Sequence, residues 1–116
     1  MKILFIINDA GYGSEKAYNA LRLATAMQKQ QKAEIRVFLM ADAVTCALPN
    51  QSTPNGYYNI ENMFKGLIKD GAQVKTCGTC SDARGIRNLA IIEGVEISTM
   101  LQLSSWVTEA DKVLTF

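Results

Sequence analysis

Lys2-Ile3-Leu4-Phe5-Ile6-Ile7, running into Asn8-Asp9-Ala10-Gly11-Tyr12-Gly13-Ser14-Glu15, sets the architecture of this chain. Six residues of nearly unbroken apolar character, rich in β-branched side chains, describe a strand buried on both faces of a parallel sheet. Asn8 and Asp9 end the run, and no small-residue cleavage site follows, so the segment reads as a core strand and not as a secretion signal. The glycine-bearing loop then leads to Ser14, a candidate N-cap, with Glu15 beside the positive end of the helix it opens. Ala17, Ala20, Leu21, Ala24 and Met27 recur at helical spacing, and the helix is expected to end near Gln30-Gln31-Lys32. Glu34 to Met40 follows as a second strand, alternating at first and then wholly apolar. Strand, helix and strand in this order form a βαβ unit, whose right-handed crossover puts the loops after both strands on one edge of the sheet.

The remaining elements extend that unit. Asp42-Ala43-Val44-Thr45-Cys46-Ala47-Leu48 predicts a short helix capped by Asp42 and stopped by Pro49, with Cys46 as a packing residue. Residues 49–58 hold two prolines, a glycine and several Asn, Gln, Ser and Thr residues, and read as a loop too short to be a linker between domains. Asn59 is placed to cap a helix whose apolar face is Ile60, Met63, Phe64, Leu67 and Ile68, closed by Asp70-Gly71. A third strand over residues 72–76 delivers Cys77. Glu93-Gly94 marks a turn before Val95 and Ile97, and Leu89, Ile91 and Ile92 suggest a buried segment ahead of it. Ser98 is expected to cap a last helix carrying Met100, Leu103, Val107 and Ala110, and Lys112 to Phe116 reads as a final strand. The expected fold is therefore α/β: a single domain over residues 1–116, built as a three-layer α/β/α sandwich with a mostly parallel sheet of four to five strands.

Composition narrows the function classes. Lys and Arg number 12 against 11 Asp and Glu, and a net charge of +1 gives no field for nucleic acid or an anionic membrane. No apolar run reaches the roughly 20 residues needed to span a bilayer. Three cysteines, an odd number, do not form a secreted disulfide framework, and a cytoplasmic chain with free thiols is expected. The chain has no histidine, so neither a Ser-His-Asp nor a Cys-His arrangement can be assembled within it. Gly11-Tyr12-Gly13-Ser14 lacks both the full dinucleotide-binding spacing and a P-loop lysine, and reads as a structural turn. Trp106 is expected in the core, while Tyr57-Tyr58 are candidates for a contact between subunits.

The chemistry lies in Lys75-Thr76-Cys77-Gly78-Thr79-Cys80-Ser81-Asp82-Ala83-Arg84-Gly85. It puts two thiols at the carboxyl end of a strand, the edge on which open α/β proteins keep their sites. Backbone N–H groups at a helix start lower a cysteine pKa, Arg84 and Arg87 add positive charge, and Asp82 opposes them. Three chemistries compete with simple packing of the thiols. Sulfur relay needs one cysteine, which accepts a sulfane sulfur as a persulfide. Dithiol–disulfide exchange needs both. Metal binding would use Cys77 and Cys80 as half of a tetrahedral set, with no histidine to complete it, so neither a resident metal nor another cofactor is expected.

Beyond these motifs, the chain resembles the DsrE/DsrF-like family over essentially its whole length, and its YchN branch in particular. The resemblance is carried by residues 38–44 (FLMADAV), 56–60 (GYYNI), Cys77-Gly78-Thr79-Cys80, Arg84-Gly85-Ile86, 94–97 (GVEI) and 110–116 (ADKVLTF). It implies the three-layer fold, homotrimers or hexamers made of trimers, protein donors and acceptors of sulfur, and a cytoplasmic role as a sulfurtransferase or sulfur carrier. In the sulfur-transferring members the carrier cysteine follows the third strand and precedes an Arg-Gly pair, which corresponds here to Cys77 and Arg84-Gly85. The resemblance thus implies that Cys77 is the carrier, with Cys80 outside the carrier pattern. The leading reading is a persulfide on Cys77, with Arg84 and loop N–H groups stabilising the thiolate and Cys80 modulating or resolving it; the alternatives are a dithiol redox protein using Cys77 and Cys80 and a non-catalytic oligomeric binding or scaffold domain.

Overall fold

β1 (Lys2–Ile7) is an interior strand of the sheet, hydrogen-bonded on one side to β2 (Glu34–Leu39) and on the other to β5 (Lys112–Thr115). This computed structural model describes residues 1–116. With β3 (Gln73–Cys77) and β4 (Val95–Ser98), the five strands lie in the order β4-β3-β2-β1-β5, and all four pairings are parallel. Leu4 and Phe5 are both fully buried although adjacent, because they point to opposite faces and both faces are covered. That is the physical content of the unbroken apolar run.

Helix α1 (Lys16–Gln30) connects β1 to β2, and α2 (Ile60–Lys69) precedes β3 on the same face. After β4 the chain reverses direction across the sheet, so a right-handed crossover sends α4 (Met100–Glu109) to the opposite face before β5. The three-layer α/β/α arrangement follows. The two cores are unequal. Ile3, Phe5, Ile7, Ile35, Val37 and Val74 meet α1 and α2 in a cluster of 21 buried residues, whereas Leu4, Phe38, Val44, Cys77, Leu103 and Trp106 form a cluster of six beneath α4. Each fully buried large side chain contributes about 1.5–3 kcal/mol, so the α1/α2 face dominates the stability of the domain.

Local chemistry accounts for most boundaries. Asn59 caps α2 as expected, its Oδ1 accepting the Asn62 N–H at 3.0 Å. Gly71 follows with φ +103°, a conformation that a side chain disfavours. Ser14 accepts the Lys16 N–H and donates to Asp9, but the residue flanking α1 is Glu15.

Three expectations are corrected. Residues Ala41–Ala47 form a 3₁₀ helix, and Asp42 lies within its first turn instead of capping it. The cap of α4 is Thr99, whose Oγ1 accepts the Gln102 N–H, because Ser98 is drawn into β4 opposite Cys77. The buried residues of α4 are Leu103 and Trp106, while Met100 and Val107 are exposed. Trp106 is in the core as expected, edge-on to Phe38, with the Arg36 and Lys75 cations 5.3 and 5.2 Å from its ring centre. Arg36 is buried and ion-paired with Glu109, whose carboxyl it holds below its ordinary pKa.

Candidate functional site: a dithiol at the carboxyl edge of the sheet

Cys77 is the last residue of β3 and also the cap of α3 (Gly78–Ala83), so the chain turns at the thiol itself. Its backbone is extended, and its Sγ accepts the N–H of Cys80 at 3.4 Å. Ser81 locks the turn by donating its hydroxyl to the Cys77 carbonyl at 2.7 Å. Cys77 is buried at 7% exposure, whereas Cys80 is partly exposed. Burial is the main influence on Cys77 and raises its pKa above the ordinary thiol value. The neighbouring Cys80 thiol raises it further, against the N–H groups of Cys80 and Thr79. Cys77 is therefore a neutral thiol at rest near pH 7.

The second wall of the site comes from the segment after β2. Ala41 has φ +50°, a left-handed conformation that costs a Cβ-bearing residue about 1–2 kcal/mol. In that conformation its N–H donates to Cys80 Sγ at 3.3 Å. Strain therefore sits where the backbone meets a sulfur, in the pattern that marks functional segments. Arg84 ties the two walls together, with Nε and Nη2 both on Asp42 Oδ1 at 3.1 and 2.8 Å and Nη1 on the Cys80 carbonyl at 3.1 Å. The bonded partners of Arg84 are oxygens, and its structural effect is to fix the 3₁₀ helix against α3.

The structure thus brings Cys77, Cys80 and Arg84 into one cluster. Two groups join them. Asp42 is the partner of Arg84, although the two are 42 positions apart in the chain. Arg87 forms a two-point ion pair with Asp82 and lies against Gly78, immediately beside Cys77. Spacing to a local acid was the available signal for Arg87; nothing local marks Asp42 or the Ala41 conformation. Cys46 lies apart, buried under Gly11, with burial pushing its pKa up to about 12. All four tyrosines gather in another stack at the loop before α2, with Tyr57 the most exposed of them. No three or more His, Cys, Asp or Glu side chains are grouped to hold a metal ion. No helix is long and apolar enough to cross a membrane.

A buried thiol, a partly exposed second thiol and a strained backbone donor thus meet at the carboxyl edge of the parallel sheet of a small α/β domain. The model of the DsrE/DsrF-like family matches residues 1–116, and the chain belongs to that family. It is 48% identical over 116 residues to protein YchN of Escherichia coli, covering 99% of this chain and 98% of that protein. The crystal structure of the E. coli YchN protein superposes with a TM-score of 0.93 over 99% of this chain and 98% of that one. A sulfurtransferase TusD homolog of Vibrio parahaemolyticus is 28% identical over 82 residues, covering 70% of this chain and 63% of that protein.

Proposed function

We propose that this protein is a cytoplasmic sulfur-handling protein that accepts sulfane sulfur as a persulfide on Cys77 and passes it to an acceptor thiol. The observation that carries this reading is the position of Cys77. Its thiol caps the turn after β3 with Cys80 N–H on its sulfur, and the turn is followed by the Arg84-Gly85 pair. Membership of the DsrE/DsrF-like family and the likeness to a TusD homolog support it. Arg84 acts in this reading by holding the two walls of the site, with Asp42, around the sulfur.

A second reading, dithiol–disulfide exchange between Cys77 and Cys80, is favoured by one observation: the Cys80 N–H donates to Cys77 Sγ, so the two cysteines are neighbours, and both thiols are free. The partners proposed are protein donors and acceptors of sulfur, together with further copies of this chain in a trimer or hexamer. The thin α4 layer supports the latter, since Leu101, Met100 and Val107 are exposed at 78%, 61% and 43%.

Incubation with a sulfane-sulfur donor, followed by intact-mass and peptide analysis of wild type, Cys77→Ser and Cys80→Ser, separates the two chemistries. Relay predicts one added sulfur that is lost only in Cys77→Ser. Uptake on neither cysteine sinks the relay reading, and a reversible Cys77–Cys80 bond required for activity selects the second.

A further inference from the structure

Two arginines follow the dithiol, and their surroundings differ. Arg84 is committed to oxygens on both sides of the site, with Asp42 and the Cys80 carbonyl as its partners. Arg87 is bound through Nε and Nη2 to the Asp82 carboxylate, which leaves Nη1 outside that ion pair. Its Nη2 occupies the space of a missing side chain: a Cβ built on Gly78 would stand 2.5 Å from it, and 3.2 Å from both Ile97 Cγ2 and the Ser98 carbonyl oxygen. Gly78 directly follows Cys77. The absence of a side chain there is what lets a guanidinium lie against the backbone beside the thiol.

We propose that Arg87, seated by Asp82 over Gly78, is a positioning residue that presents a cation to the anionic sulfur carried on Cys77 and so favours hydropersulfide donors. This rests on the reading of Cys77 as the sulfur carrier. The step is an exchange without net oxidation. The Cys77 sulfur attacks the outer sulfur of a hydropersulfide R–S–SH, the Cys77 S–S bond forms and the donor S–S bond breaks. The proton of Cys77 goes to the departing thiolate, giving Cys77–S–SH and R–SH. At rest Cys77 is neutral, because burial raises its pKa. A persulfide is more acidic than the thiol it replaces, so loading creates a negative charge one atom beyond Sγ. Arg87 supplies the counter-charge there, and a Cys77 thiolate in turn strengthens the protonated form of Arg87, after the larger effect of Asp82. Asp82 thus both seats the cation and moderates its charge.

The test uses the charge of a small probe and needs no sulfur donor. In a Cys80→Ser background, the rates of Cys77 alkylation by iodoacetate, an anion, and by iodoacetamide, its neutral analogue, are measured by peptide mapping. Replacing Arg87 with Gln lowers the iodoacetate-to-iodoacetamide ratio about fivefold at low ionic strength, and Arg87→Lys restores most of it. An unchanged ratio in Arg87→Gln overturns the assignment, as does an equal fall of both rates, which marks a purely structural role. Failure of wild-type protein to take up sulfur on Cys77 would defeat the carrier reading while leaving this charge ratio to be judged by itself.

Discussion

Replacing Thr76 with Val should stabilise this protein, against the usual direction of core substitutions. Thr76 is 1% exposed, and its Oγ1 is buried without a hydrogen-bond partner. It shares a face of β3 with Val74, turned toward α1 and α2, whereas Cys77 faces the other way. A hydroxyl buried without compensation costs about 1–3 kcal/mol on mutational scales. Valine keeps the β-branched shape and strand preference while putting a methyl group where the hydroxyl was. Part of the gain is lost in refitting the methyl among close-packed neighbours, so about 1–2 kcal/mol is expected. For a domain of this size that corresponds to a rise in Tm of roughly 3–10 °C, with a matching shift in the urea midpoint and no change of slope. Wild type and variant must be compared at one protein concentration, because any self-association would add to apparent stability. Thr76→Ser, which keeps the hydroxyl and loses the methyl, should be destabilised by about 1 kcal/mol. If Thr76→Val instead loses 1 kcal/mol or more, the hydroxyl has a partner in solution and the reasoning fails.

Glu61 gives a pH prediction: its Oε2 pairs with Lys65 and its Oε1 accepts the Gln51 N–H, and these interactions hold its pKa below the ordinary 4.5. A depressed folded pKa contributes stability above the unfolded value that is lost as pH falls through the folded one, so urea midpoints should decline below about pH 4.5 and less steeply in Glu61→Gln. Equal acid slopes would refute this. Cys46, with a pKa of about 12 and 2% exposure, should resist maleimide at pH 7.5 until the protein unfolds; modification of the native protein at the rate of Cys80 would contradict its burial. Leu101→Glu should lower the oligomeric state seen by light scattering while leaving the far-ultraviolet circular dichroism intact, and an unchanged mass would place the subunit contact away from α4.

The parts of the fold that the chain announces locally are those where one residue's chemistry suffices. The apolar run of β1 requires two covered faces, Asn59 marks a helix start, and Cys77 is the residue on which β3 ends. On α4 the local signal is ambiguous. Met100, Leu101, Leu103, Trp106 and Val107 surround the helix with apolar side chains, so spacing alone cannot select Leu103 and Trp106 as the buried pair. Ser98 and Thr99 can both cap, and the pairing of Ser98 opposite Cys77 decides between them. The thiols were legible in the site, but the surroundings of the arginines were not. Arg84 meets Asp42 where α3 packs against the 3₁₀ helix, and Arg87 lies against the backbone after Cys77 because Gly78 leaves room; both depend on tertiary contacts with no periodic trace in the sequence. The left-handed Ala41 is equally silent, since alanine is not a residue that signals positive φ.

Whether Cys77 carries sulfur is tested most directly by the sulfur content of its own tryptic peptide in Cys80→Ser after exposure to a hydropersulfide donor and transfer to a fresh acceptor thiol. One extra sulfur on Cys77, present before the acceptor is added and gone afterwards, is the predicted result. A Cys77 peptide that never gains sulfur while the folded Cys80→Ser protein stays intact would contradict it.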